Sequence, residues 1–149
     1  MQRTLTIVSL ALVGVFAAAM PAGAETVKGN LTVVVTGMKK TGGKVYIGLI
    51  NSKATFLTKN QRRMFRGVAR PIKNKRVVHV FRNIPAGYYA LQVYHDENGN
   101  GKMDTNFVGL PTEPVGFSNK ARIRFGPPAY KDARFRFKGG KASHRVRLR

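Results

Sequence analysis

Cysteine and tryptophan are absent from the 149-residue chain, and carboxylates are scarce: 6 Asp+Glu stand against 27 Lys+Arg. Without cysteine there can be no disulfide, no thiolate zinc or iron–sulfur ligation and no cysteine nucleophile. After residue 24 there is also no convincing apolar stripe of helical period. The nearest approach is Phe56 to Arg66, where a single helical turn is expected. The length allows one domain of ordinary size. With 43% hydrophobic residues the chain can bury a real core, so its formal net charge of +21 does not indicate disorder. Such a charge calls instead for a partner or an unusual solvent.

The first segment reads as an address. Met1-Gln2-Arg3 is a short positive start, an apolar run extends from Leu5 to about Met20, and Pro21-Ala22-Gly23-Ala24 follows. Small residues at Ala22 and Ala24 suit signal peptidase, so cleavage after Ala24 is expected. The alternative is a retained membrane anchor, since Leu5 to Ala24 could just span a bilayer. On the first reading residues 1–24 are a signal peptide. Residues 25–149 are then one domain in the periplasm or beyond, with no transmembrane segment left.

Within residues 25–149, period-two alternation dominates. Leu31, Val33 and Val35 share one face, and Val45, Ile47 and Leu49 repeat the pattern after Gly42-Gly43. Further alternating runs cover Val77–Phe81, Tyr88–Tyr94, Phe135–Phe137 and His144–Leu148. Half-buried strands separated by turn signals predict an all-β fold, a single antiparallel β-sandwich of about seven strands.

Charge is distributed unevenly. Between Gly87 and Asn119 one base, Lys102, faces four acids, Asp96, Glu97, Asp104 and Glu113; the rest of residues 25–149 carries a net charge of +23. In Asp96-Glu97-Asn98-Gly99-Asn100-Gly101-Lys102-Met103-Asp104, oxygen-bearing side chains fall at relative positions 1, 3, 5 and 9. Gly101 stands at position 6, where an EF-hand loop makes its sharp turn, and Lys102 can offer a backbone carbonyl at position 7. Alternate side chains of a curled loop point inward, so a hard cation can be wrapped locally. Asp96, Asn98, Asn100, Lys102 and Asp104 are therefore the expected calcium ligands. Position 12 departs from the pattern, with Phe107 where an EF-hand has Glu, and Glu113 is the candidate outer ligand. A second reading needs no metal: Asn98-Gly99 and Asn100-Gly101 are both good hairpin-turn dipeptides.

Two stretches then suggest a family. Phe81-Arg82-Asn83-Ile84-Pro85-Ala86-Gly87-Tyr88-Tyr89-Ala90 resembles the F-x-N-[LI]-P-x-G-x-Y signature that leads into a strand in transthyretin-like and collagen-binding B-type sandwiches. The run from Ile84 through His95–Gly101, Phe107–Glu113 and Gly116–Asn119, with Gly126-Pro127-Pro128 and Ala133-Arg134-Phe135, resembles the uncharacterised bacterial family known as domain of unknown function 2141. The resemblance spans nearly all of Leu31–Leu148. It implies an exported, prealbumin-like or Ig-like sandwich and no established activity.

Other candidates fill out the surface. His95, Ser118 and Asn119 are expected near a ligand, on or beside the Pro/Gly-rich stretch Gly109–Asn119. A hydrolase using His95 and Ser118 is the least favoured function. Neighbouring strand residues face opposite ways, so Asp96 is badly placed to orient His95. Arg62, Arg63, Arg66, Arg70, Lys73, Lys75 and Arg76 form a basic run expected to bind anions. Export makes nucleic acid a poor partner, and anionic envelope polymer or lipid phosphate a better one. The favoured function is thus a non-enzymatic envelope binding or accessory module with a calcium-type loop. The alternative is a basic-surface protein that binds anionic polymers and uses the loop only as structure.

Overall fold

The computed structural model describes residues 26–57, 64–124 and 126–149. The signal segment 1–24, Glu25, Arg62 and Arg63 lie outside these, as does most of the helical turn expected over Phe56–Arg66. A single 3-10 turn occurs just ahead of that span, at Lys53–Thr55.

Among the described residues, eight strands and one short α-helix follow in the order β1 (Lys28–Thr36), β2 (Lys44–Ile50), β3 (Arg66–Pro71), β4 (Val77–Pro85), β5 (Gly87–Asp96), β6 (Val115–Phe117), α1 (Tyr130–Ala133), β7 (Phe135–Phe137) and β8 (Gly140–Arg147). They form two sheets. The first has the order β4-β1-β8; the second has β3-β2-β5-β6, with β7 pairing the start of β5. The all-β expectation holds.

Alternation dictates what each strand buries. Leu31, Val33 and Val35 of β1, Phe81 of β4 and Val146 of β8 face inward from the first sheet. They share one buried cluster with Val45, Ile47 and Leu49 of β2 and Leu91 and Val93 of β5. Burying a side chain of this size contributes about 1.5–3 kcal/mol. On the other face of the second sheet, Ala90, Phe117 and Ala133 form a smaller cluster with Phe56, Val115 and Tyr130. Helix α1 therefore seals the outside of β5.

One expectation is corrected. The strands are not all antiparallel, because β8 runs parallel to β1 over Gly29–Thr36. The cause is the Gly139-Gly140 corner, where both residues have positive φ (88° and 67°). It carries the chain from β7, on the second sheet, to the free side of β1. A Cβ at Gly29 would lie 2.1 Å from the Gly140 carbonyl oxygen, so this crossing needs glycine at Gly29. At the far end of β8, Val115 and Arg149 exchange two backbone hydrogen bonds of 3.2 and 3.0 Å, tying β6 to the first sheet's edge.

Candidate functional site

Strand β5 delivers Asp96 to its last position, buried to 1% exposure. A bare carboxylate in that setting would be costly, and the following loop supplies its solvation. Oδ1 of Asp96 accepts from the N–H groups of Gly99 (2.7 Å) and Asn100 (3.1 Å), and Oδ2 from that of Gly101 (2.8 Å). Positive φ at Gly99 (76°) and Gly101 (78°) coils the backbone so that these donors converge.

The other oxygens of the loop are equally engaged. Asn98 Oδ1 accepts from Asn100 N at 3.0 Å, and Asn100 Oδ1 from Lys102 N at 2.8 Å. Both amide nitrogens turn to Asp104, Asn98 Nδ2 at 2.7 Å and Asn100 Nδ2 at 3.0 and 3.1 Å from its two oxygens. Asn98, Asn100 and Asp104 are thus brought together on one point, with Asp96 behind the backbone beside them. Glu113 stands outside this set. Its Oε1 accepts from Glu97 N (2.9 Å) and its Oε2 from Asp104 N (3.1 Å), so it braces the loop's two ends. Glu97 points away to Lys40 Nζ at 2.7 Å.

The donor types suit a hard, oxygen-seeking cation. As arranged, however, the described residues contain no group of three or more His, Asp or Glu poised to hold a metal. Amide N–H groups face Asp104 where a cation would need oxygens. Coordination requires the Asn98 and Asn100 amides to rotate their Oδ1 atoms inward. That rotation exchanges their present bonds from Asn100 N and Lys102 N for contacts to the cation.

His95, Ser118 and Asn119 do not meet at an accessible ligand site. His95 is fully buried opposite Val45, where its Nε2 donates to the Gly42 carbonyl at 2.7 Å. Among the described residues its Nδ1 has no hydrogen-bond partner, and Glu97 Oε1 stands 3.7 Å away. The Ser118 hydroxyl is also enclosed. It accepts from Leu91 N at 2.8 Å and donates to the Ala133 carbonyl, joining β5 to α1. Asn119 (φ 54°) donates its amide to Arg134 O at 2.7 Å, and its backbone N–H to His144 Nε2 at 3.4 Å. The stretch Gly109–Asn119 is not all connection, since β6 lies inside it.

Sequence reasoning missed a cavity of about 270 Å³ on the outer face of the second sheet. Tyr46 and Tyr94, paired across β2 and β5, stack there at 4.8 Å and 4°. Gln92 and Val68 flank them, and Gly101, Lys102 and Met103 of the acidic loop close one side. The only sequence signal was two tyrosines at outward positions of strands.

The basic run divides. Arg66 and Arg70 lie on edge strand β3, and Lys73 and Lys75 in the tight turn that the Lys73–Arg76 bridge closes. Among the described residues of the run, Arg76 alone reaches a second, larger groove of about 920 Å³, which Lys120, Arg122, Arg145, Arg147 and Arg149 also line. Nearby imidazoles respond to burial: desolvation lowers the pKa of His144, and desolvation followed by the Arg70 charge lowers that of His79.

No curated protein and no solved structure matches the chain. A family model does, over residues 33–145, and its description is an uncharacterized protein conserved in bacteria (DUF2141). With about three quarters of its length matched, the chain belongs to that family.

Proposed function

We propose that this is an exported, non-enzymatic β-sandwich of prealbumin-like type, a cell-envelope binding or accessory module whose Asp96–Asp104 loop binds calcium. Support for the sandwich comes from the single core shared by two sheets. Tyr89 adds to it, because its hydroxyl donates to the Pro85 carbonyl at 2.9 Å, the corner contact found in Greek-key sandwiches. Export rests on the composition of residues 1–24. The enclosed hydroxyl of Ser118 and the buried ring of His95 favour binding over hydrolysis.

The observation that carries the calcium reading is the buried Asp96 carboxylate, which gathers three successive N–H groups and so presents Asn98, Asn100 and Asp104 together. Asp96, Asn98, Asn100, Asp104 and the Lys102 carbonyl are the ligands in this reading, with Glu113 as brace. The bidentate Glu of an EF-hand is missing and the whole chain is strongly basic, so affinity falls at the weak end, about 10⁻⁴–10⁻³ M. At about ten times that concentration, binding adds roughly 1.4 kcal/mol. Melting curves and calorimetry with calcium and with magnesium test it. Calcium raises Tm by a few degrees and magnesium by less. An unmoved melting curve with no heat of binding makes the loop a plain turn.

A further inference from the structure

Two features are left over by the calcium reading, and they adjoin. The first is the turn at residues 105–111. Asn106 builds it: its Oδ1 accepts from Val108 N (3.2 Å) and Leu110 N (2.9 Å), and its backbone pairs with Leu110 O and Gly109 N. A Thr105–Pro111 bridge closes the base. On this well-formed frame Phe107 is 99% exposed, Val108 62% and Leu110 41%. Three large apolar side chains within four residues thus stand in water although the backbone beneath them is fully organised.

The second feature is the basic groove. Leu110 and Pro111 line part of it, and Arg76, Lys120, Arg122, Arg145, Arg147 and Arg149 are among the other lining residues. These cations come from three separate stretches of chain that only the fold brings together. Among the described residues none of them is in an ion pair. The single carboxylate side chain lining the groove, Glu113, has both oxygens committed to backbone donors.

We propose that the Phe107–Leu110 tip and this groove form one docking face for an anionic lipid surface. The tip enters the headgroup region, and the arginines meet lipid phosphates. Either signal alone is weak: a few apolar residues give marginal, reversible binding, and a basic patch gives salt-sensitive attraction. Together they suffice. A soluble polyanion would satisfy the cations but leave Phe107 and Val108 in water, whereas a lipid interface accommodates both. Arginine suits the task, because its planar fork pairs bidentately with phosphate. The proposal needs no calcium, so it stands or falls apart from the loop's metal chemistry.

Co-sedimentation of the purified protein with vesicles, in the presence of a chelator, provides the test. Vesicles with about 30% phosphatidylglycerol should bind and pure phosphatidylcholine should not. Arg145→Glu with Arg147→Glu should weaken binding by about tenfold or more. The same charge change on β3, Arg66→Glu with Arg70→Glu, should cost less than about threefold, since neither residue lines the groove. Phe107→Ser leaves charge untouched and should still cost about fivefold. Melting curves confirm that each variant is folded. Equal losses for the two charge-reversal pairs would mean that overall charge alone acts, and would overturn the proposal. So would a Phe107→Ser affinity within about twofold of the parent, or binding to inorganic polyphosphate with none to vesicles.

Discussion

The acidic loop and the basic groove lie back to back, with Glu113 between them, yet they treat charge in opposite ways. In the loop, the oxygens of Asp96, Asp104 and Glu113 all accept hydrogen bonds from N–H groups of the loop itself. In the groove, six cations face solvent with no carboxylate in ion-pair contact among the described residues. Charge satisfied from within shapes a structure. Charge left open waits for something from outside. The loop should therefore be sensitive to mutation in stability, and the groove in binding.

The sharpest way to break this contrast is Asp96→Ala. It leaves three converging N–H groups without their buried acceptor and should destabilise the fold by about 2–3 kcal/mol in urea titration, with the slope unchanged. A loss below about 0.5 kcal/mol would place Asp96 with the ordinary surface carboxylates.

Asp104→Ala is the next in size, and it separates metal from architecture. Asp104 is half-buried and braced by amides, so the variant should stay folded while losing the calcium-induced gain of roughly 1.4 kcal/mol. Persistence of the calcium shift in Asp104→Ala would remove this residue from the ligand set.

Acid should expose the imidazoles. The pKa values of His144 and His79 are lowered in the folded protein from an ordinary 6.5, so as pH falls through about 6.5 the unfolded chain takes up protons first. Stability then drops until pH passes below the folded values, and it is unaffected above neutrality. Protonation of His144 also removes the Nε2 lone pair that accepts from Asn119 N. Tm measured between pH 7.5 and 5 should fall, and His144→Phe, which keeps a ring against Phe135, should flatten the fall. A Tm in the parent protein that rises on acidification contradicts the assignment.

The smallest effect belongs to the groove. Arg145→Glu with Arg147→Glu should alter stability by no more than about 0.5 kcal/mol, because exposed charges at this spacing repel weakly through water. A large destabilisation would mean that these arginines hold the sheet together.

How much of this was legible depends on the reach of each signal. Long alternating strands around Val33, Ile47 and Leu91 declare themselves, since one face of each must enter the core. Strand β3 does not, because Arg66 and Arg70 flank a half-buried edge of only six residues. Strand β6 is three residues long and sits among prolines and glycines. The parallel pairing of β8 was hidden because it depends on where the Gly139-Gly140 corner sends the chain, which no local pattern encodes. In the loop, spacing foretold that Asn98, Asn100 and Asp104 would meet. It could not foretell that Glu113 would serve as a brace, a role set by its return past Glu97. The grouping of Arg76 with the C-terminal arginines was hidden for the same reason: they become neighbours only in three dimensions.

The pairing of β1 with β8 has a consequence in time. It joins Val33 to His144, more than a hundred positions along the chain, and β1 is the centre of its sheet. β1 can pair with β4 early, but its second edge stays open until the last strand has arrived. Contacts of such sequence separation are costly to close, and folds dominated by them form in milliseconds to seconds rather than microseconds. A chain emerging from its N-terminal end would therefore keep one edge of β1 uncovered until β8 had been delivered.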